Sequence, residues 1–167
     1  LAPIFEKMPR KSQPDFEPAP AGISGKTEHL IKQTGQMQIC LGTQGLTLDD
    51  ERNYPLYILN NVLGGGLSSR LVQSIREERG LAYSVYSFNS AFKDAGVFAF
   101  YAGTAPNAAG EVIELFRQEM DNLCRNGITE EEFAKAKNQV RGNLYMGLES
   151  VSNRMNRLGR NLLLLDK

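Results

Sequence analysis

The sequence holds a single histidine, His29, and two cysteines, Cys40 and Cys124, among 167 residues. Hydrolytic zinc sites mostly draw two or three ligands from histidine, and a Ser-His-Asp triad needs one at the right place. One histidine in a Lys/Glu-rich stretch supplies neither, and His29 reads as a surface residue. The cysteines form no C-x-x-C pair, which excludes zinc-ribbon and thioredoxin signatures. Two isolated thiols fit a reducing compartment, with a buried apolar role expected for each. An excess of one charge is also missing, since 19 Lys and Arg face 19 Asp and Glu. The balance is local too, with ten of each sign up to residue 106 and nine of each after it. A strongly basic nucleic-acid binder and an acidic solvating tail are thereby excluded. No apolar run approaches the ~18 residues that span a bilayer.

What is present describes a globular domain. A hydrophobic share of 41% with 23% charged residues argues against general disorder. The length suits one domain. Five of the seven prolines fall within residues 1–25, which read as an extended linker from an upstream domain. Residues 26–167 form the domain proper, and its apolar last residues look cut within an element.

A short strand is expected over Thr34 to Gly42, with Met37, Ile39 and Leu41 on one face. Gly42 to Leu48 reads as a loop. Asp49 and Asp50 are candidate caps for a helix through Val62. Gly64, Gly65 and Gly66 end that helix, and Ser68 or Ser69 would cap the next, whose apolar stripe is Leu71, Val72 and Ile75. Gly80 suits the position after its end. Ala82 to Phe88 and Gly96 to Tyr101 read as an antiparallel hairpin turning at Lys93–Gly96. Its aromatic residues read as sheet core rather than a base-stacking platform. Pro106 opens a helix with Val112, Ile113, Phe116, Met120 and Leu123 on one side, and Asn126-Gly127 stops it. Thr129 and Glu132 form a capping box for a further helix, and a last one covers about 151–165. The fold class is α+β, with helices packed on one face of a mostly antiparallel sheet.

Two features could carry chemistry. The glycine run could present backbone N–H groups to an anion, line a cleft as a hinge, or serve as a plain turn. It lacks the Gly-Lys-Ser/Thr of a phosphate loop and follows a helix, not a strand. The second feature is Ile75-Arg-Glu-Glu-Arg-Gly-Leu-Ala-Tyr83. Arg76 ends a helix and Tyr83 begins a strand, so a guanidinium and a phenol could converge at the corner and donate to a substrate carbonyl. The plainer alternative pairs Arg76 with Glu77 or Glu78 and buries Tyr83 in the core. Glu130, Glu131 and Glu132 complement a helix dipole, and a metal role there is the weaker reading.

Four ordered segments carry a family resemblance. They are Asn61-Val-Leu-Gly-Gly-Gly-Leu-Ser-Ser-Arg-Leu71, Ile75 to Val85, Gly127 to Lys137 and Leu148 to Met155. Together they resemble the insulinase-like (pitrilysin) zinc peptidases, in the branch of mitochondrial processing peptidase and its bacterial relatives. The match is to the C-terminal half, which lacks the metal. The resemblance implies a zinc-dependent endopeptidase with two homologous halves around a chamber. Zinc would sit in an N-terminal half bearing His-x-x-Glu-His, fused or separate, and not in this chain. Arg76 and Tyr83 match the family's substrate-holding pair, seven positions apart, and Gly64, Gly65 and Gly66 match its chamber-lining segment. The implied partners are a peptide substrate and the zinc half. A homodimer is left open, and neither nucleic acid nor membrane is implied. The implied location is the bacterial cytoplasm, or the mitochondrial matrix for a eukaryotic source. A non-catalytic partner or scaffold subunit of the same family is the alternative.

Overall fold

The computed structural model describes residues 34–165 without a break, together with 6–7, 17–19, 22 and 25–32. The linker expected over residues 1–25 therefore lies mostly outside the described residues. The chain runs β1 (Met37–Gln44), α1 (Asn53–Gly64), a π-helical turn α2 (Val72–Glu77), β2 (Ala82–Ala91) and β3 (Gly96–Thr104). A 3-10 turn at Pro106–Ala108 then leads into α3 (Ala109–Asn126), α4 (Glu130–Glu149) and α5 (Val151–Leu165).

The sheet has the order β1-β3-β2 and is antiparallel throughout. β3 is central, and its alternation decides which face is covered. Side chains alternate across a strand, and Phe98, Phe100, Ala102 and Thr104 are all buried on one side. Register places Ile39 and Val85 beside Ala102 on that side. α3 covers it with Ala109, Val112, Leu115 and Phe116, and the Phe116 ring lies 5.3 Å from that of Phe100. Leu63, Leu71 and Ile75 complete the core. The opposite face carries Tyr86 stacked on Tyr101 at 4.7 Å. The helices thus sit on one face of an antiparallel sheet, as the sequence pattern implies.

Several local expectations fail for identifiable reasons. β1 runs on to Gln44 because Thr43 and Gln44 pair with Phe98 and Val97, partners no local pattern reveals. Asp49 and Asp50 do not cap α1, whose N-cap is Arg52 with no side-chain bond. Asp50 instead accepts the Arg52 N–H at 2.9 Å and its guanidinium at 2.6 Å, an Asx-type turn ahead of the helix. Neither Ser68 nor Ser69 supplies a side-chain cap, and the Ser69 hydroxyl is buried without a partner. Ile113 is exposed, and Leu115 takes its place against the core. Both cysteines are exposed. Cys40 lies opposite Tyr101, on the face turned away from α3. Of the hairpin aromatics only Phe98 and Phe100 are core.

Two tight contacts set the layers. A Cβ on Gly64 would lie 2.1 Å from the Ser87 amide nitrogen, so α1 meets β2 where no side chain fits. Next to it, the Ser87 hydroxyl donates to the Asn60 side-chain oxygen at 2.7 Å. The second contact is ionic. Arg70 Nε and Nη2 reach the two oxygens of Glu132 at 2.6 and 2.7 Å, while Nη1 donates to Glu119 at 2.9 Å. Nη2 also donates to the Gly127 carbonyl at 2.9 Å. The Arg70 side chain is only 15% exposed. Glu132 meanwhile closes the expected capping box with Thr129. The Arg70 fork, followed by the Thr129 N–H and hydroxyl, holds the Glu132 carboxyl down at about 2 from its ordinary 4.5, against the opposing effect of burial.

Two predictions follow from these contacts. Gly64→Ala should destabilise the fold by roughly 2–3 kcal/mol or more, since backbone must move to admit one methyl. A lowered denaturant midpoint at unchanged slope would report it. The acid response comes from Glu132, whose folded pKa lies below its unfolded one. Its stabilisation is fully present above about pH 4.5 and is lost as pH falls towards about 2. Urea unfolding across that window should show Glu132→Gln less stable than wild type at pH 7 and less sensitive to acid. Equal pH slopes would discount the ion pair.

Candidate functional site

The site is built at the corner where α2 gives way to β2. Leu71, Val72 and Ile75 anchor one side of the helical segment in the core, as their spacing predicts. Gly80 then reverses the chain with φ +63°, a left-handed value that favours glycine. Its N–H donates to the Arg76 carbonyl at 3.1 Å, and the Leu81 N–H donates to the Ile75 carbonyl at 2.9 Å. The helix end is therefore pinned through its carbonyls, and β2 begins two residues later.

Arg76 and Tyr83 stand on either side of this corner, and both reach solvent. Tyr83 is 82% exposed, so the expectation of a core tyrosine is overturned. The cause is a β-bulge. Ala82 pairs with Thr104 and Ser84 with Gly103, which leaves Tyr83 as the extra residue without a partner on β3. Arg76 is half exposed, and its Nε lies 3.4 Å from Glu77. That pairing matches the plainer expectation, but an exposed pair of this kind contributes little. No hydrogen bond joins Arg76 to Tyr83. The corner thus presents two hydrogen-bond donors to whatever approaches.

The glycine run sits at the end of α1. Gly64 is its last residue and Gly65 its C-cap, with φ −87°. None of the three glycines has positive φ, so the run is not a left-handed turn. Close approach explains it instead. Besides Gly64 against Ser87, a Cβ on Gly65 would lie 2.6 Å from Asn61 Cα, and one on Gly66 would lie 3.0 Å from the Gln139 amide. Gly64 is thus a packing device between α1 and β2, while Gly65 closes on its own helix and Gly66 meets only the movable end of Gln139 on α4.

Among the described residues, no group of three or more His, Cys, Asp or Glu side chains is placed to hold a metal ion. Glu132 is engaged by Arg70, and Glu131 pairs with Lys135 at 2.7 Å. His29 is exposed. A cavity of about 590 Å³ opens elsewhere, between the end of β1, α1 and the α3–α4 junction. Leu46, Pro55, Leu56, Leu59, Phe98 and Phe133 line it, and neither Arg76 nor Tyr83 does. Sequence reasoning missed it because its walls come from separated segments with no shared pattern. It missed Arg70 as well, since a partly buried guanidinium has no periodicity of its own.

Known proteins place this geometry. The family model described as "Peptidase M16 inactive domain" matches residues 1–140. The "uncharacterized zinc protease YmxG" of Bacillus subtilis is 46% identical over 143 residues, covering 84% of this chain and 35% of that protein. The crystal structure of a peptidase M16 inactive domain from Pseudomonas fluorescens superposes with a TM-score of 0.63 at 29% identity. That match covers 65% of this chain and 27% of the other. A Helicobacter pylori protease gives 0.72 at 27% identity, covering 80% and 32%. The chain spans about a third of the length of these relatives. No helix of the described residues is long and apolar enough to cross a membrane. The ordered motifs, the helix-backed antiparallel sheet and these matches agree: the chain belongs to the M16 (insulinase-like) peptidase family, as its inactive domain.

Proposed function

We propose that this domain is the substrate-facing half of a zinc-dependent endopeptidase that hydrolyses peptide bonds. The observation that carries this reading is the corner of Arg76 and Tyr83. Both are exposed there, seven positions apart, within the family motif. The zinc in the names of the relatives is assigned in this reading to the homologous N-terminal half bearing His-x-x-Glu-His. The Pro-rich residues 1–25 favour a tether that fuses the two. The relatives are bacterial, which supports a bacterial source, and the bacterial cytoplasm is the location proposed with it.

In this reading an extended peptide lies between the halves and is gripped through its backbone. Tyr83 Oη and the Arg76 guanidinium donate to a substrate carbonyl and to the oxygen on which negative charge grows. Donors fixed before the reaction act best where water is excluded, which a closed chamber provides. In the same reading the Gly64–Gly66 run borders the chamber.

In the full-length enzyme, Tyr83→Phe and Arg76→Gln should each lower kcat/KM by about tenfold or more at unchanged zinc content. Steady-state peptide cleavage with metal analysis on the same samples checks this, and wild-type rates in both variants would sink the proposed role. The chain alone should bind no stoichiometric zinc and cleave no peptide. One tightly held zinc per chain would overturn the division between the halves.

A further inference from the structure

α2 is not an ordinary helix. The Glu78 N–H donates to the Gln73 carbonyl five residues back, at 2.9 Å, which is a π register. Such turns are rare and are found mostly as single insertions at functional sites. A π turn takes up one extra residue, so relaxing it to α register with the same sequence would rotate Arg76 by roughly 100° about the axis. The direction of Arg76 therefore depends on this turn keeping its register. Leu71, Val72 and Ile75 hold one side of it in the core.

Arg70 holds the base. Four of its five N–H groups are engaged, two by Glu132 and one each by Glu119 and the Gly127 carbonyl. Those partners lie on α3, on α4 and in the loop between them. At the same residue, the Ser74 hydroxyl donates to the Arg70 carbonyl at 2.8 Å. This back-bond serves a carbonyl at the start of the widened turn. Side chain and backbone of Arg70 are thus both fixed, six residues before Arg76. A mostly buried ion cluster is a weak source of net stability, because desolvation offsets its attraction. A planar fork bound at both ends fixes orientation far more firmly.

We infer that Arg70 is a positioning residue, whose clamp onto Glu132 and Glu119 sets the π register of α2 and so aims Arg76 at the substrate. The inference rests on the substrate-binding role proposed for Arg76. The test uses the full-length, zinc-loaded enzyme. Arg70→Lys keeps the charge and loses the fork. It should fold and bind zinc, yet lose about tenfold in kcat/KM, with the kcat-against-KM split of Arg76→Gln. Arg70→Lys combined with Arg76→Gln should fall little below Arg76→Gln alone, because both act through one group. Glu119→Ala removes one carboxylate of the same clamp and should lower kcat/KM with the same split, and it serves where the lysine variant does not fold. Wild-type kcat/KM in either folded variant, beside an impaired Arg76→Gln, overturns the aiming role and leaves the proposed function standing. An Arg76→Gln enzyme at full rate removes the proposed function, and the inference with it.

Discussion

One largely buried guanidinium adds a polar clamp to elements that the hydrophobic core already joins. α1 and α2 pack on β2 and α3 on β1 and β3, with α1 also against α4 and α2 against α3. Arg70 crosses between these groups, from the base of α2 to α3, α4 and their connecting loop. Its main partner, Glu132, is at the same time the capping residue of α4. The start of α4, the stop of α3 at Gly127 and the start of α2 are therefore decided at one place. Removing either charge would leave the other poorly solvated, a larger cost than the pair's own net contribution.

Irregular backbone is concentrated beside that clamp. Within twelve residues the chain makes a π turn, a left-handed glycine and a β-bulge. A regular α-helix followed by a regular strand would bring Arg76 and Tyr83 out at other angles. Each departure from regularity needs support from its surroundings, and each has it: the core under Leu71 and Ile75, the pinned carbonyls before Gly80, and the pairing of Ser84 onward with β3. Irregularity held this way marks a place where side-chain direction matters more than local propensity.

What the sequence shows and hides follows the range of the interactions. The capping box at Thr129, the stop at Gly80 and the hairpin are local, and the residues announce them. The α+β class follows from the order of elements. The ends of β1 and the face of α3 are settled by distant partners and escape local reading. So do the exposed cysteines, because residue type does not say which face of the sheet is covered at Cys40 or which face of α3 is covered at Cys124. Arg76 and Tyr83 are visible only through the motif they share. Spacing alone favours a surface ion pair and a core tyrosine, and the structure bears out the first and rejects the second. The bulge that exposes Tyr83 is a matter of register, which no composition encodes.

The glycine run shows how close packing and the corner depend on each other. Gly64 lets α1 touch β2 at Ser87, within five residues of Tyr83 along the same strand. A side chain at that point would push α1 outward from the sheet. α1 packs on α4, and α4 begins at the carboxylate that holds Arg70. A displacement of α1 would therefore be felt at both ends of the corner, through β2 at Tyr83 and through α4 and Arg70 at Arg76. Interiors packed at crystal density transmit such shifts instead of absorbing them. Gly64 is thus as much a part of the geometry of the corner as the charged cluster, although it makes no polar contact with it.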